Sequence, residues 1–423
     1  MNIANLMRFS VYLLSFGLGR GALFIAPLLL ANFLYGAEYG VLETALAAAS
    51  VWASMASLGT SSVVPLVLLR NNAQATMHGI VVHHLLVVGA AACFLLAAVA
   101  LKWPLVWKLT ALMIGCLVMQ GLASTHLKTL GHGDASVLID AGLLGLMAIA
   151  VVGAHYLGAV QPIDFAFGAA LLYCLVLVVT YLRILARRYS AQSSLAWCAT
   201  LKVGIPLMLG GVVSLLATTS GRLGMGLLAS PHLTAEYAVL ARAGALPIVA
   251  HQLILIARFR NLFAQSDQAV ERAIQQILLL VVGSVLAFFV LSPWLGFLLG
   301  PAFMDAWGQH KMAGFLIVAQ AVLWSAIALN DLVIARHQVM HRVLPCSIGF
   351  LASALGVGWL SLAWSELSME RFVIVHSGVM LSFYIAQSWI MNFLGLRLVR
   401  VWLTTGPLYL VLAGIGLLIS FVH

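Results

Sequence analysis

Apolar residues run through this chain in long blocks separated by short polar interruptions. A helix rises about 1.5 Å per residue and the hydrocarbon core of a bilayer is about 30 Å thick, so about 20 consecutive apolar residues predict a membrane span. The runs fall at residues 9–35, 38–69, 79–101, 104–127, 135–157 and 163–186. A polar stretch, Arg187 to Ser194, interrupts the pattern. Seven more runs follow, at 203–229, 236–259, 273–299, 312–335, 344–365, 371–394 and 401–422. The second is long for a span, and Pro65 predicts a bend or an end there. The first exceeds the 7–15-residue core of a signal peptide and is read as the first membrane helix. The pattern predicts an all-α polytopic membrane protein with 12–13 transmembrane helices. The thirteenth run leaves the side of the C-terminus open.

The positive charges support this segmentation. With the N-terminus in the cytoplasm and the spans alternating, fourteen of the 21 Lys and Arg lie on the cytoplasmic side. Four (Lys102, Lys108, Lys311 and Arg371) lie outside, and Arg20, Arg222 and Arg242 lie within helices. Cytoplasmic loops of membrane proteins carry an excess of Lys and Arg, and a miscounted span would have scrambled the split. Trp103, Trp107, Trp294 and Trp364 sit near the ends of runs, where an aromatic belt is expected.

Composition agrees. Hydrophobic residues make up 63% of the chain and charged residues 8%, with a mean hydropathy of +1.08. A soluble domain carries roughly 25% charged residues. The net charge of +9 is spread thinly between apolar runs, which argues against a nucleic-acid partner. Cys93, Cys116, Cys174, Cys198 and Cys346 have no metal-ligand spacing and read as small packing residues. His78, His83 and His84 cluster, but no His-Glu-x-x-His pattern and no phosphate-binding glycine loop occur. The connections are too short for a catalytic domain, so neither enzymatic activity nor a cofactor is expected.

The chain repeats itself. Ala37-Glu38-Tyr39-Gly40-Val41-Leu42 recurs 198 residues later as Ala235-Glu236-Tyr237-Ala238-Val239-Leu240. The preceding span carries Gly19-Arg20-Gly21 in one half and Gly221-Arg222-Leu223-Gly224 in the other. Six spans per half in the same orientation is a parallel internal repeat, a plan common in transporters with the path between the halves. The division expected is an N-terminal six-helix bundle (1–190), a C-terminal six-helix bundle (199–396) and an extra C-terminal helix (397–423).

Leu34 to Leu42, running on through Ser57-Leu58-Gly59-Thr60, resembles the opening of the polysaccharide-biosynthesis (O-antigen) flippases. These belong to the multidrug/oligosaccharidyl-lipid/polysaccharide exporter superfamily. Lys202-Val-Gly204-Ile-Pro206-Leu is similar to the family's seventh-helix opening, Ala229 to Pro247 to its eighth helix, and Leu298 to Ala306 to its ninth-helix end. The resemblance implies two six-helix bundles forming a V that opens inward or outward. It implies a cargo of oligosaccharide on a polyprenyl diphosphate carrier, moved from the cytoplasmic to the outer leaflet of a bacterial inner membrane. A polysaccharide polymerase and a chain-length regulator are the protein partners it implies. The thirteenth run departs from the family's twelve-helix pattern.

Charged groups at membrane depth are costly and call for an interior role. Arg20, Arg222 and Arg242 are candidates to line the cavity and bind diphosphate or acidic sugars, because guanidinium stays charged and grips phosphate oxygens in two-pronged fashion. Structural pairing, Arg20 with Glu43 for instance, is the other reading. Glu43, Ala47, Ser50, Ser54, Ser57 and Ser61 share one face of the second span. Ser214, Thr218 and Arg222 make a similar stripe on the seventh, and Gln320, Trp324 and Asp331 one on the tenth. Ser50, Ser54 and Thr218 are therefore candidate substrate contacts. Glu43, Asp140 and Asp331, the acids placed within helices, are candidates for ion coupling, with structural pairing as the alternative for each.

Two other functions are weighed. A cation-coupled drug exporter of the same superfamily would favour acids over intramembrane arginines. A membrane-embedded glycan polymerase or ligase would need a sizeable outer loop with catalytic Arg or His, which the chain lacks.

Overall fold

A computed structural model describes residues 17, 19, 21–68, 73–188, 194–248, 266–337, 339–363, 367–396 and 398–422. These residues are almost entirely helical. In chain order the helices are α1 (Gly21–Phe33), α2 (Gly36–Ala56), α3 (Thr60–Leu68), α4 (Ala73–Ala100), α5 (Leu105–Thr129), α6 (Gly133–Tyr156), α7 (Pro162–Arg188) and α8 (Ser194–Leu228). Then come α9 (Pro231–Gly244), α10 (Asp267–Leu299), α11 (Pro301–Gln309), α12 (Lys311–Arg336), α13 (Met340–Ala363), α14 (Met369–Phe393) and α15 (Val399–Val422). Among the described residues, nine helices are long and apolar enough to cross a membrane. Helix starts carry the local signals that stop orphan amides going unbonded. Ser230, ahead of Pro231, accepts from the Leu233 amide at 3.3 Å, and Ser368 accepts from the Arg371 amide at 3.2 Å.

The chain divides into two compact units, Met1–Val212 and Val213–His423. The division falls within α8, because its first half carries Gly204 against Gly59 of the first unit. Each unit is organised round one central helix. In the first it is α5, which packs on α2, α3, α4, α6 and α7; in the second it is α12, which packs on α9, α10, α14 and α15. The most apolar stretch of α12 is 89% buried and that of α5 56%; no other spanning helix exceeds 50%. The two central helices are the fourth and tenth of the runs, equivalent positions in the two halves.

The second run does not end at Pro65, which lies inside α3. It breaks at Ser57–Gly59, where Leu58 has φ 50° and Gly59 φ 70°. A β-carbon on Gly59 would sit 2.6 Å from the Gly204 carbonyl carbon, so only glycine fits both the left-handed turn and the close approach. Two segments that carried the family resemblance thus meet in space. Residues 301–309 form the short helix α11 after a turn at Gly300, where the apolar pattern alone indicated a loop. The thirteenth run is helical, as α15, and packs on α12, α10 and α14.

Candidate functional site

The interior of the second unit holds an unusual density of polar groups for a membrane helix bundle. Gln320, Asn330, Ser377 and Gln387 are all at most 6% exposed. They pair between α12 and α14. The Gln320 amide donates to Ser377 Oγ at 2.7 Å, and the Asn330 amide donates to Gln387 Oε1 at 3.1 Å. Both pairs are separated by 57 residues in sequence. The two helices therefore run parallel in fixed register, with polar rungs ten residues apart, about 15 Å.

The lower rung ends on a carboxylate. Gln387 Nε2 donates to Asp331 Oδ1 at 2.8 Å, and Ser214 Oγ of α8 donates to Asp331 Oδ2 at 2.5 Å. Asp331 is half-buried, and among the described residues both of its bonded partners are neutral. A carboxylate in a membrane interior held only by neutral donors can exchange a proton or small cation without breaking an ion pair.

A second cluster lies where α9, α12 and α14 begin. His310 Nδ1 is 2.8 Å from Glu370 Oε1, and its Nε2 is 3.3 Å from Glu236 Oε2. His232 Nδ1 lies 3.4 Å from the other Glu236 oxygen. Three helices meet at one end around His310, with each of its ring nitrogens facing a carboxylate.

In the first unit, Glu43 is 1% exposed and accepts from the Tyr39 hydroxyl at 2.9 Å. Ser50 and Ser54 are half-buried; the Ser50 hydroxyl donates to the Leu46 carbonyl at 2.7 Å. Below them the histidines of α4 straddle the helix break. His83 Nε2 is 2.8 Å from the Ala56 carbonyl, and His84 Nε2 is 3.0 Å from Ser61 Oγ. Adjacent residues on a helix point about 100° apart, so the pair reaches both sides of the break. Asp140 pairs with Lys128 at 3.1 Å near the ends of α5 and α6, with the two side chains 25% and 50% exposed.

Arg20 lies outside the described residues. Arg222 and Arg242 are half-buried on α8 and α9. The hydroxyl of Tyr237, from the second copy of the repeat, lies against α8 at Gly221. Tyr39 and Tyr237, equivalent in the repeat, are both 1% exposed. Thr218 is exposed, and its hydroxyl donates to the Leu215 carbonyl at 2.9 Å. The structure thus joins Ser214 of the α8 stripe to Asp331 of the α12 stripe and leaves Thr218 on its own backbone. Gln387 and Asn330 complete the site. Only their polarity within apolar runs marked them in the sequence.

No family model and no curated protein matches the sequence. Solved structures do resemble the fold. One is an inward-facing multidrug resistance MATE family transporter of the MOP superfamily, with a TM-score of 0.54 and 15% identity over 92% of this chain and 95% of that one. Another is a MATE protein in complex with MaL6, with a TM-score of 0.55 and 15% identity over 90% of this chain and 94% of that one. The chain has the fold of the MATE transporters. Two helical bundles, expected from the repeat, are part of that likeness.

Proposed function

We propose that this chain is a proton-coupled secondary exporter of amphipathic cations, with Asp331 as the coupling carboxylate. The observation that carries the reading is the Asp331 site itself. A half-buried carboxylate within a helix bundle, bonded to a serine hydroxyl and a glutamine amide, is set to alternate between charged and protonated forms. The other candidate acids are differently placed, since Asp140 is ion-paired to Lys128 and Glu43 is bonded to Tyr39. The likeness to a multidrug resistance transporter over nearly the whole chain supports the same reading.

Export of a lipid-linked oligosaccharide is the second reading, favoured by Arg222 and Arg242 on helices of the same unit. An anionic carrier diphosphate would need those cations. The two cargoes separate in proteoliposomes carrying a pH gradient. The exporter reading expects ethidium to move against its own gradient and the Arg222→Gln variant to keep that activity. Movement of a polyprenyl diphosphate lipid but not ethidium, lost in Arg222→Gln, would replace it with the flippase reading.

A further inference from the structure

The contacts of His310 fix how many protons its cluster holds. Its Nδ1 lies 2.8 Å from Glu370 Oε1 of α14, and its Nε2 lies 3.3 Å from Glu236 Oε2 of α9, both with hydrogen-bond geometry. A carboxylate only accepts, whereas a neutral imidazole donates from one ring nitrogen and accepts at the other. Neutral His310 therefore serves one glutamate and turns a lone pair on the other. Two bonds need two protons, and the ring supplies both only as imidazolium. Imidazole is a stronger base than a carboxylate, so the second proton belongs on the ring rather than on a glutamate.

The surroundings favour that charge. The side chains of His310 and Glu236 are 17% and 13% exposed, so their attraction is less screened than on an open surface. His232 Nδ1, 3.4 Å from Glu236 Oε1, is 70% exposed, and water competes for it. The other charged groups at this end are Arg222 on α8, Asp305 on α11, Lys311 on α12 and Arg371 on α14. Among the described residues, α10, α13 and α15 bring none to it. The arrangement is also peculiar to one half of the chain. Glu236 has its repeat equivalent in Glu38, but Pro104 precedes α5 where His310 precedes α12. One Glu38 oxygen is buried without a hydrogen-bond partner among the described residues. The repeat keeps the glutamate, and the second unit adds a base beside it.

We propose that His310 is the proton-binding centre of a latch that joins the start of α9 to α12 and α14. With the proton bound, the imidazolium bridges Glu236 and Glu370. When Nε2 gives that proton to water, the ring keeps its one N–H on Glu370, the nearer partner, and a lone pair faces Glu236. The α9 link opens and the α14 link stays. The opening reaches the turn between α8 and α9, because Thr234, two residues before Glu236, donates to the Met225 carbonyl of α8 at 3.1 Å. This end is the outer one in the orientation expected from the charges, so the latch reads the pH on that side. The folded protein holds the extra proton, so the stability the latch contributes is present at acid pH and lost as pH rises. The inference needs neither the cargo nor a role for Asp331.

The test uses the full chain in detergent, with its histidines labelled with nitrogen-15. The spectrum of the parent minus that of His310→Gln isolates the His310 ring, and Glu236→Gln, which leaves the ring in place, gives the same assignment by shifting it. Both ring nitrogens should carry protons at about pH 6 and only one at about pH 9, a loss of about one bound proton. Thermal unfolding gives double-mutant cycles at the same two pH values. His310→Gln and Glu236→Gln should be non-additive at the acid pH and additive at the alkaline one, whereas His310→Gln and Glu370→Gln should be non-additive at both. A singly protonated ring at the acid pH, or a coupling to Glu236 that is the same at both, would overturn the latch. Neither result bears on Asp331, whose role is read from transport.

Discussion

Gln387 donates one amide hydrogen to Asp331 Oδ1 at 2.8 Å while its carbonyl oxygen accepts from Asn330 at 3.1 Å. One neutral side chain therefore fixes both the position of the carboxylate and the register of α12 against α14. The amide is 2% exposed, so nothing outside the bundle can take its place.

Gln387→Leu should cost about 1–3 kcal/mol of stability, because it leaves a buried amide and a carboxylate without their shared partner. Thermal unfolding of the purified protein in detergent measures this. A melting temperature equal to the parent's would show that the rung holds nothing.

Gly59→Ala should cost at least about 2 kcal/mol or abolish membrane accumulation, since it combines a left-handed residue with a clash against the Gly204 backbone. Gly204→Ala should do the same, as its β-carbon would lie 2.6 Å from the Leu58 carbonyl oxygen. Gly145→Ala, in α6 with open space around it, is the control and should be neutral or mildly stabilising. The amount of folded protein by size-exclusion fluorescence reads all three.

Gly221 makes room for the Tyr237 hydroxyl, because a β-carbon there would lie 2.8 Å from the ring carbon that bears it. Gly221→Ala should destabilise by about 1–3 kcal/mol. Adding Tyr237→Phe should recover a measurable part of the loss, a coupling of about 0.5–2 kcal/mol in a double-mutant cycle. Additive effects in thermal unfolding would contradict the contact.

Much of the fold was legible in the sequence because a bilayer demands long apolar runs, and those runs need no knowledge of what packs on what. The repeat was legible through Glu38-Tyr39 and Glu236-Tyr237, whose tyrosines are buried alike. Other features were hidden for physical reasons. Pro65 looked like the breaker of the second run, yet a helix tolerates it there, and the break falls at Gly59, where a backbone from far along the chain comes close. Asp331 stood out as a charge among apolar residues. Ser214 was marked too, as part of a polar stripe, but its pairing with Asp331, and that of Gln387, was hidden, because these residues lie 117 and 56 positions away and the pairing depends on helix register. His310 reads as a loop residue until α9 and α14 bring Glu236 and Glu370 to its two nitrogens.

Arg222→Gln should leave ethidium export within about twofold of the parent, since removing a cation from this unit does not weaken recognition of a cationic cargo. The rate of dye movement in proteoliposomes decides it, and a loss of about tenfold or more would move the cargo assignment toward an anionic lipid.

The most direct test of the account is ethidium accumulation in proteoliposomes under an imposed pH gradient, parent against Asp331→Asn. Asparagine keeps the size of the side chain and can still accept from Gln387 while its amide donates to the Ser214 oxygen, but it cannot take up and release a proton. The account predicts that the parent concentrates the dye, whereas the variant lets dye exchange across the membrane without accumulating it. Accumulation by the variant to the parent's level would contradict the assignment of Asp331 as the coupling site.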